Sequence, residues 1–216
     1  MTNQASRRLI VEGEQEKFFF KTMLDKRLGL TSVDIQIYKP SDLGHTGNGI
    51  SHLLTLIPEE LDRIKTGEVT HLAFVADADD NFIDQISKIR QAFANKDFQP
   101  HPLGCTGDAF IHSSGVINPV GVWLMPSHQD SGAIERFFIE SCSAEQKPCL
   151  DLAQASLAHH PCNHIQNTRW HDKAKTYTWL AWQKKPTFGY GDMHKKLDST
   201  HPWMMGLEEW LQRIYP

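Results

Sequence analysis

Seven carboxylates follow closely on the ends of apolar runs: Glu12, Glu14 and Glu16 after Arg8–Val11, Asp77, Asp79 and Asp80 after His71–Ala76, and Glu135 downstream of Val120–Met125. Asp77 and Asp79 are two apart, so in an extended segment their side chains share a face while Ala78 turns away. Glu12 and Glu16 are four apart across a turn that Gly13 allows to be tight. Like charges ~4 Å apart repel by about 4 kcal/mol at an effective dielectric of 20. Helix N-termini offset only part of this, at roughly +0.5 charge each. A divalent cation offsets the rest, and an all-oxygen ligand set suits Mg²⁺ or Mn²⁺ rather than a thiolate-bound zinc. Taken singly, Asp79 or Asp80 can do no more than cap the helix that begins near Phe82. Taken together, the carboxylates point to a metal site.

Such a site needs a frame. Arg8–Val11 reads as a strand that meets Glu12 and Gly13 and gives way to helical spacing at Phe18, Phe19, Met23, Leu24 and Leu28. Val33, Ile35 and Ile37 alternate as a second strand closed by Pro40, and residues 50–65 return to helical spacing. His71–Ala76 is continuously apolar, the mark of a strand covered on both faces, and it stops at Asp77. Phe82, Ile86, Ile89 and Phe93 form one helical stripe. Val120–Met125 is a fourth strand, followed by a helix over 132–139. The order is β-α-β-α-β-α, an irregular stretch, then β-α. This predicts an α/β fold, a parallel sheet flanked by helices, because right-handed crossovers are nearly obligatory. In such sheets ligands bind beyond the carboxyl ends of the strands, where these carboxylates lie. Residues 1–142 form the predicted core. Residues 143–216 form a helical annex of the same domain, with apolar stripes over 177–182 and 203–214.

Composition narrows the function classes. The 216 residues carry 22 Lys+Arg against 26 Asp+Glu, a net charge of −4 that argues against strong non-specific binding to nucleic acid. Residues 163–216 carry eight basic and five acidic side chains, +3, which leaves −7 on residues 1–162. No apolar run approaches the ~18 residues needed to span a bilayer, and no signal-peptide core follows Arg7 and Arg8, so a cytoplasmic location is expected. Cys105, Cys142, Cys149 and Cys162 form no CxxC pair and read as reduced thiols.

The strand-end segments "LIVEGEQEKFFF" and "HLAFVADADDN" together resemble the Toprim domain, the metal-binding fold of topoisomerases, primases, ribosomal-RNA maturases and OLD-type nucleases. The resemblance covers residues 7 to about 142. Glu12 matches the Toprim glutamate, and Asp77 with Asp79 match its DxD pair. Glu16 matches the second glutamate of the OLD-type branch, and "GAIERFF" resembles its downstream acidic segment, with Glu135 as the acidic residue. The segment "GVWLMPSHQDSGAIERFF" is also similar to small stand-alone bacterial Toprim proteins of unassigned activity. The resemblance implies a Mg²⁺ or Mn²⁺-dependent nuclease acting on DNA or RNA, with metal ligands Glu12, Glu16, Asp77, Asp79 and Glu135. Two cations held by them can stabilise the attacking and leaving oxygens of an in-line displacement. A topoisomerase also needs a tyrosine nucleophile on a second domain, for which this chain has no room, so hydrolysis is expected. OLD-type enzymes use a lysine beyond the Toprim core, which points to Lys173 in "RWHDKAKTYTWLAW", with Lys175 and His171 as alternatives. A separately encoded ATPase partner, self-association and a role in phage defence are implied by analogy alone.

Other features carry competing readings. Gly44, Gly47 and Gly49 form a glycine loop that can offer N–H groups to a phosphate but lacks the Lys-Ser/Thr of a P-loop, so an ordinary turn is the better account. His159, His160, Cys162 and His164 cluster without a standard zinc spacing. Most annex aromatics recur at helical spacing and read as packing, with Phe188 and Tyr190 the candidates for stacking on bases. Two other classes stand beside the nuclease. One is a non-catalytic metal-binding adaptor or regulatory module of an ATPase-linked system. The other is a phosphatase with Asp77 as nucleophile, disfavoured because that aspartate then normally follows the first strand.

Overall fold

Alternation along the first strand sets the architecture. In β1 (Ser6–Val11), Leu9 and Val11 are buried on one face and Ile10 on the other, as a strand covered on both sides requires. The computed structural model describes residues 6–38, 49–160, 164–165, 168–186 and 189–216. After β1 come α1 (Glu14–Thr22), continued by a π-helical turn at Met23–Leu28, and β2 (Val33–Ile37). Next are α2 (Gly49–Lys65), β3 (Val69–Asp77) and α3 (Phe82–Ala94). Then follow β4 (Phe98–Pro100), β5 (Asp108–His112), β6 (Val120–Met125) and α4 (Ile134–Glu140). The annex holds α5 (Lys147–His159), α6 (Thr168–Ala181), a 3₁₀ turn at Met193–Lys195 and α7 (Pro202–Ile214).

The sheet order is β2-β1-β3-β6-β5-β4. Strands β2, β1, β3 and β6 are mutually parallel, as expected, whereas β5 and β4 add an antiparallel edge. That edge occupies the stretch read from sequence as irregular. Strand β4 is only three residues long, and β5, with Ala109, Phe110 and Ile111 in succession, shows no period of two. Pro40 and the loop glycines Gly44 and Gly47 lie outside the described residues.

Two apolar layers sandwich the sheet. Leu53, Ile57 and Leu61 of α2 and Ile86, Ile89 and Phe93 of α3 cover the face that carries Ile10, Phe74 and Leu124. The opposite face, with Leu9, Val75 and Trp123, packs against Phe19, Phe137 and Phe138, and also against Trp179, Leu207, Trp210 and Tyr215 of the annex. The Tyr215 hydroxyl donates to the Arg8 carbonyl at 2.6 Å, tying the C-terminal segment to β1. Arg8 in turn pairs with Glu60 of α2 at 2.7 Å, both side chains buried. Among the described residues no helix is long and apolar enough to cross a membrane.

Helix α7 approaches the sheet closely because β6 carries a glycine. A Cβ on Gly121 would stand 2.7 Å from both Ile214 Cγ1 and Trp210 Cζ2, atoms of two fully packed side chains. Gly121→Ala is therefore expected to destabilise the fold by about 1–3 kcal/mol, the usual cost of overpacking a core. Urea denaturation would show a lower midpoint with an unchanged slope. An unchanged midpoint would mean that α7 can lift from the sheet at no cost.

Candidate metal centre

The carboxylates are gathered by backbone pairing at the carboxyl ends of β1, β3 and β6. The Tyr38 N–H donates to the Val11 carbonyl at 3.0 Å, extending the β1–β2 ladder to the point where Glu12 leaves it. Beyond Asp77, the Ala78 N–H donates to Met125 O at 3.0 Å and the Asp79 N–H to Gly132 O at 2.9 Å. The loops that follow β3 and β6 are thus stitched together. Asp79 sits in the left-handed region at φ 53°, uncommon for a non-glycine residue though tolerated best by Asp, Asn and His. Asp77 Oδ1 accepts from the Ile134 N–H at 3.1 Å, locking the start of α4 to the end of β3. Glu135, the next residue, is carried to the same rim.

Glu12, Glu14, Glu16, Asp77, Asp79 and Glu135 all line one open cleft of about 500 Å³, together with Lys173, Trp170, Tyr177 and Tyr190. All five predicted metal ligands and the predicted lysine therefore meet in one place. A larger depression of about 620 Å³ lies along residues 100–109 and Gln129. Its only lining carboxylate is Asp108, engaged by Arg90 at 2.8 Å, so chemistry rather than size locates the site.

Each carboxylate has its own support. Glu12 lies over the first turn of α2, where a Cβ on Gly49 would come within 2.6 Å of Glu12 Oε1. Gly49 thus makes room for a side chain 37 positions earlier, a use quite different from a phosphate loop. The Tyr38 hydroxyl donates to Glu12 Oε2 at 3.4 Å, and burial, then the charges of Glu12, Asp77, Glu16 and Asp79, hold it well above the ordinary phenol range. Glu135 is 6% exposed and accepts from the Tyr190 hydroxyl at 2.7 Å, with Lys173 Nζ 3.9 Å away. Tyr190 is itself buried, and its N–H donates to Gln15 Oε1 at 3.2 Å. It positions Glu135 and is not open to a stacking base, which corrects the sequence expectation. Phe188 and Cys162 lie outside the described residues.

The electrostatics show what the cluster lacks. Burial pushes Asp77 well above the usual carboxylate range, and the charges of Glu12, Glu135, Glu16 and Asp79 add to it. Burial likewise pushes Glu16 up to about 7, with Glu12 and Glu135 raising it further, while its own backbone N–H and Lys173 oppose the rise. Among the described residues lining the cleft, Lys173 is the one cation, and it does not balance six carboxyl groups. Among the described residues no three His, Cys, Asp or Glu side chains are drawn tightly enough to hold an ion as they stand. The donor set is nonetheless all oxygen, anionic and convergent, which fits a hard divalent cation. His171, the alternative to Lys173, instead faces a neighbouring recess with Asp79, Asp80, Arg136 and Asp172. His159 is exposed, its Nδ1 2.8 Å from the Ala155 carbonyl.

A mostly parallel six-stranded sheet flanked by helices, with carboxylates at the carboxyl ends of β1 and β3 and a C-terminal helical annex, is an α/β architecture consistent with the Toprim-like sheet expected from the sequence. The chain belongs to the DUF3226 family, described as of unknown function, whose sequence profile matches residues 6–216. No curated protein and no solved structure matches it.

Proposed function

We propose that the chain is a Mg²⁺ or Mn²⁺-dependent nuclease that hydrolyses phosphodiester bonds, with Glu12, Glu16, Asp77, Asp79 and Glu135 as metal ligands. The observation that carries it is the convergence of these carboxylates on one cleft, where burial first and the neighbouring acids second raise the proton affinity of Asp77 and Glu16. Bound divalent cations supply charge that stabilises the attacking and leaving oxygens of an in-line displacement. The protein's own groups do the positioning. Tyr190 holds Glu135, Tyr38 and the gap at Gly49 hold Glu12, and the Ile134 N–H holds Asp77. Lys173, 44% exposed at the cleft wall, is placed to neutralise a phosphate oxygen and is a catalytic residue in this reading. A cytoplasmic setting with reduced thiols belongs to the same proposal.

Supercoiled DNA and transfer RNA incubated with Mn²⁺ test it. Cleavage by the wild type that disappears in Glu12→Gln supports the nuclease. Identical residual nicking in wild type and variant would mean contamination, and would favour a metal-binding adaptor. Gly49→Ala probes the support of Glu12 separately. The new methyl group must displace the Glu12 carboxylate, so Mn²⁺ affinity read by calorimetry should fall about 10- to 100-fold, the scale for disturbing the support of a ligand. Unchanged affinity would remove Glu12 from the ligand set.

A further inference from the structure

Granting the metal-dependent phosphodiesterase reading, on which it rests, we propose that the cleft takes single-stranded nucleic acid and stacks an unpaired base on Trp170. The annex aromatics range from buried to exposed, with Trp182 46% exposed away from the cleft lining. Trp179, Tyr190 and Trp210 are at most 1% exposed and serve the core, whereas Trp170 is 58% exposed and lines the cleft that holds the carboxylates. Several large apolar side chains are exposed singly, but among the described residues Trp170 is the one exposed aromatic ring on the wall of the acidic cleft. One turn along α6, Lys173 Nζ lies 5.9 Å from the Trp170 ring centroid and 6.0 Å from that of Tyr177. A cation for phosphate and a flat ring for a base are therefore presented side by side.

Charge decides between strand types. Proteins that grip duplex DNA do so mainly by neutralising many phosphates. This chain has a net charge of −4, and Lys173 is the one cationic side chain lining the cleft among the described residues. Affinity must come from elsewhere, and stacking on aromatic rings supplies it without charge for a strand whose bases are free. Glu135, 6% exposed, and Trp170, 58% exposed, line the same cleft, so one bound strand can meet both.

The test is fluorescence anisotropy of a labelled oligothymidylate in Ca²⁺, with the same strand annealed to its complement as control. Single-strand binding should weaken roughly 10-fold in Trp170→Ala, recover largely in Trp170→Phe, and exceed duplex binding in the wild type. Mn²⁺ binding by calorimetry and the thermal midpoint should be the same in all three proteins. Equal single-strand affinity of wild type and Trp170→Ala, or duplex binding as tight as single-strand binding, would overturn the inference while leaving the metal site standing. Failure of the wild type to bind Mn²⁺ at all would instead overturn the phosphodiesterase reading beneath it.

Discussion

Asp77→Asn is expected to abolish Mn²⁺-dependent cleavage and, in the same protein, to raise the stability of the metal-free fold. Asparagine has the same shape and retains a carbonyl oxygen for the Ile134 N–H that Asp77 accepts at 3.1 Å. What it removes is a carboxyl group that burial and four neighbouring acids make costly to ionise. Without a cation that change is a relief, because the unfolded chain no longer gains by ionising the group. With a cation it deletes a central ligand, and cleavage should fall on the order of 10³-fold, the scale for losing one preorganised electrostatic group at a reacting centre. Thermal denaturation in chelator and in Mn²⁺, beside plasmid nicking, checks both halves. A variant that is less stable without metal yet keeps its Mn²⁺ response would make Asp77 a structural cap.

The second large effect is on pH. Glu16 moves from the ordinary 4.5 in the unfolded chain to about 7 in the fold. Between those values the folded chain keeps a proton that the unfolded chain has released. Stability is therefore fully present below about pH 4.5 and is lost as pH rises through about 7, by about 3 kcal/mol for this group. Asp77 acts in the same direction. The metal-free midpoint should decline from about pH 5 to about pH 8, and Glu16→Gln should flatten that decline. Mn²⁺ should stabilise strongly at the upper end of this range and little at the lower, because binding must displace the protons. A midpoint that instead rises with pH in chelator would show that the carboxylates are not crowded.

Much of the frame is readable in the residues themselves. Val120–Met125 and most of β3 are apolar at every position because both faces are covered, and that continuity marks a strand without any partner in view. The stripe of Phe82, Ile86, Ile89 and Phe93 marks α3 for a similar local reason. The antiparallel edge escaped because β4 is three residues long, β5 lacks alternation and their pairing joins separate segments, Phe98 opposite His112. In the candidate site, Glu12, Asp77 and Asp79 are visible because they stand directly after strands. The supports of the site are not, since Gly49 and Tyr190 are distant in sequence from Glu12 and Glu135, the carboxylates they serve.

Sequence by itself determined an alternating α/β order, acidic residues at its strand ends and a modest negative charge, since each follows from residue type and near-neighbour spacing. Tertiary structure alone decided that Tyr190 is buried behind Glu135, that Gly49 leaves room for Glu12 and that Trp170 faces the cleft. Periodicity shows that a helix has an apolar side but not which ring finds room against a neighbour. Desolvation and repulsion, which raise Glu16 and Asp77, exist only once distant chain segments share one low-dielectric recess.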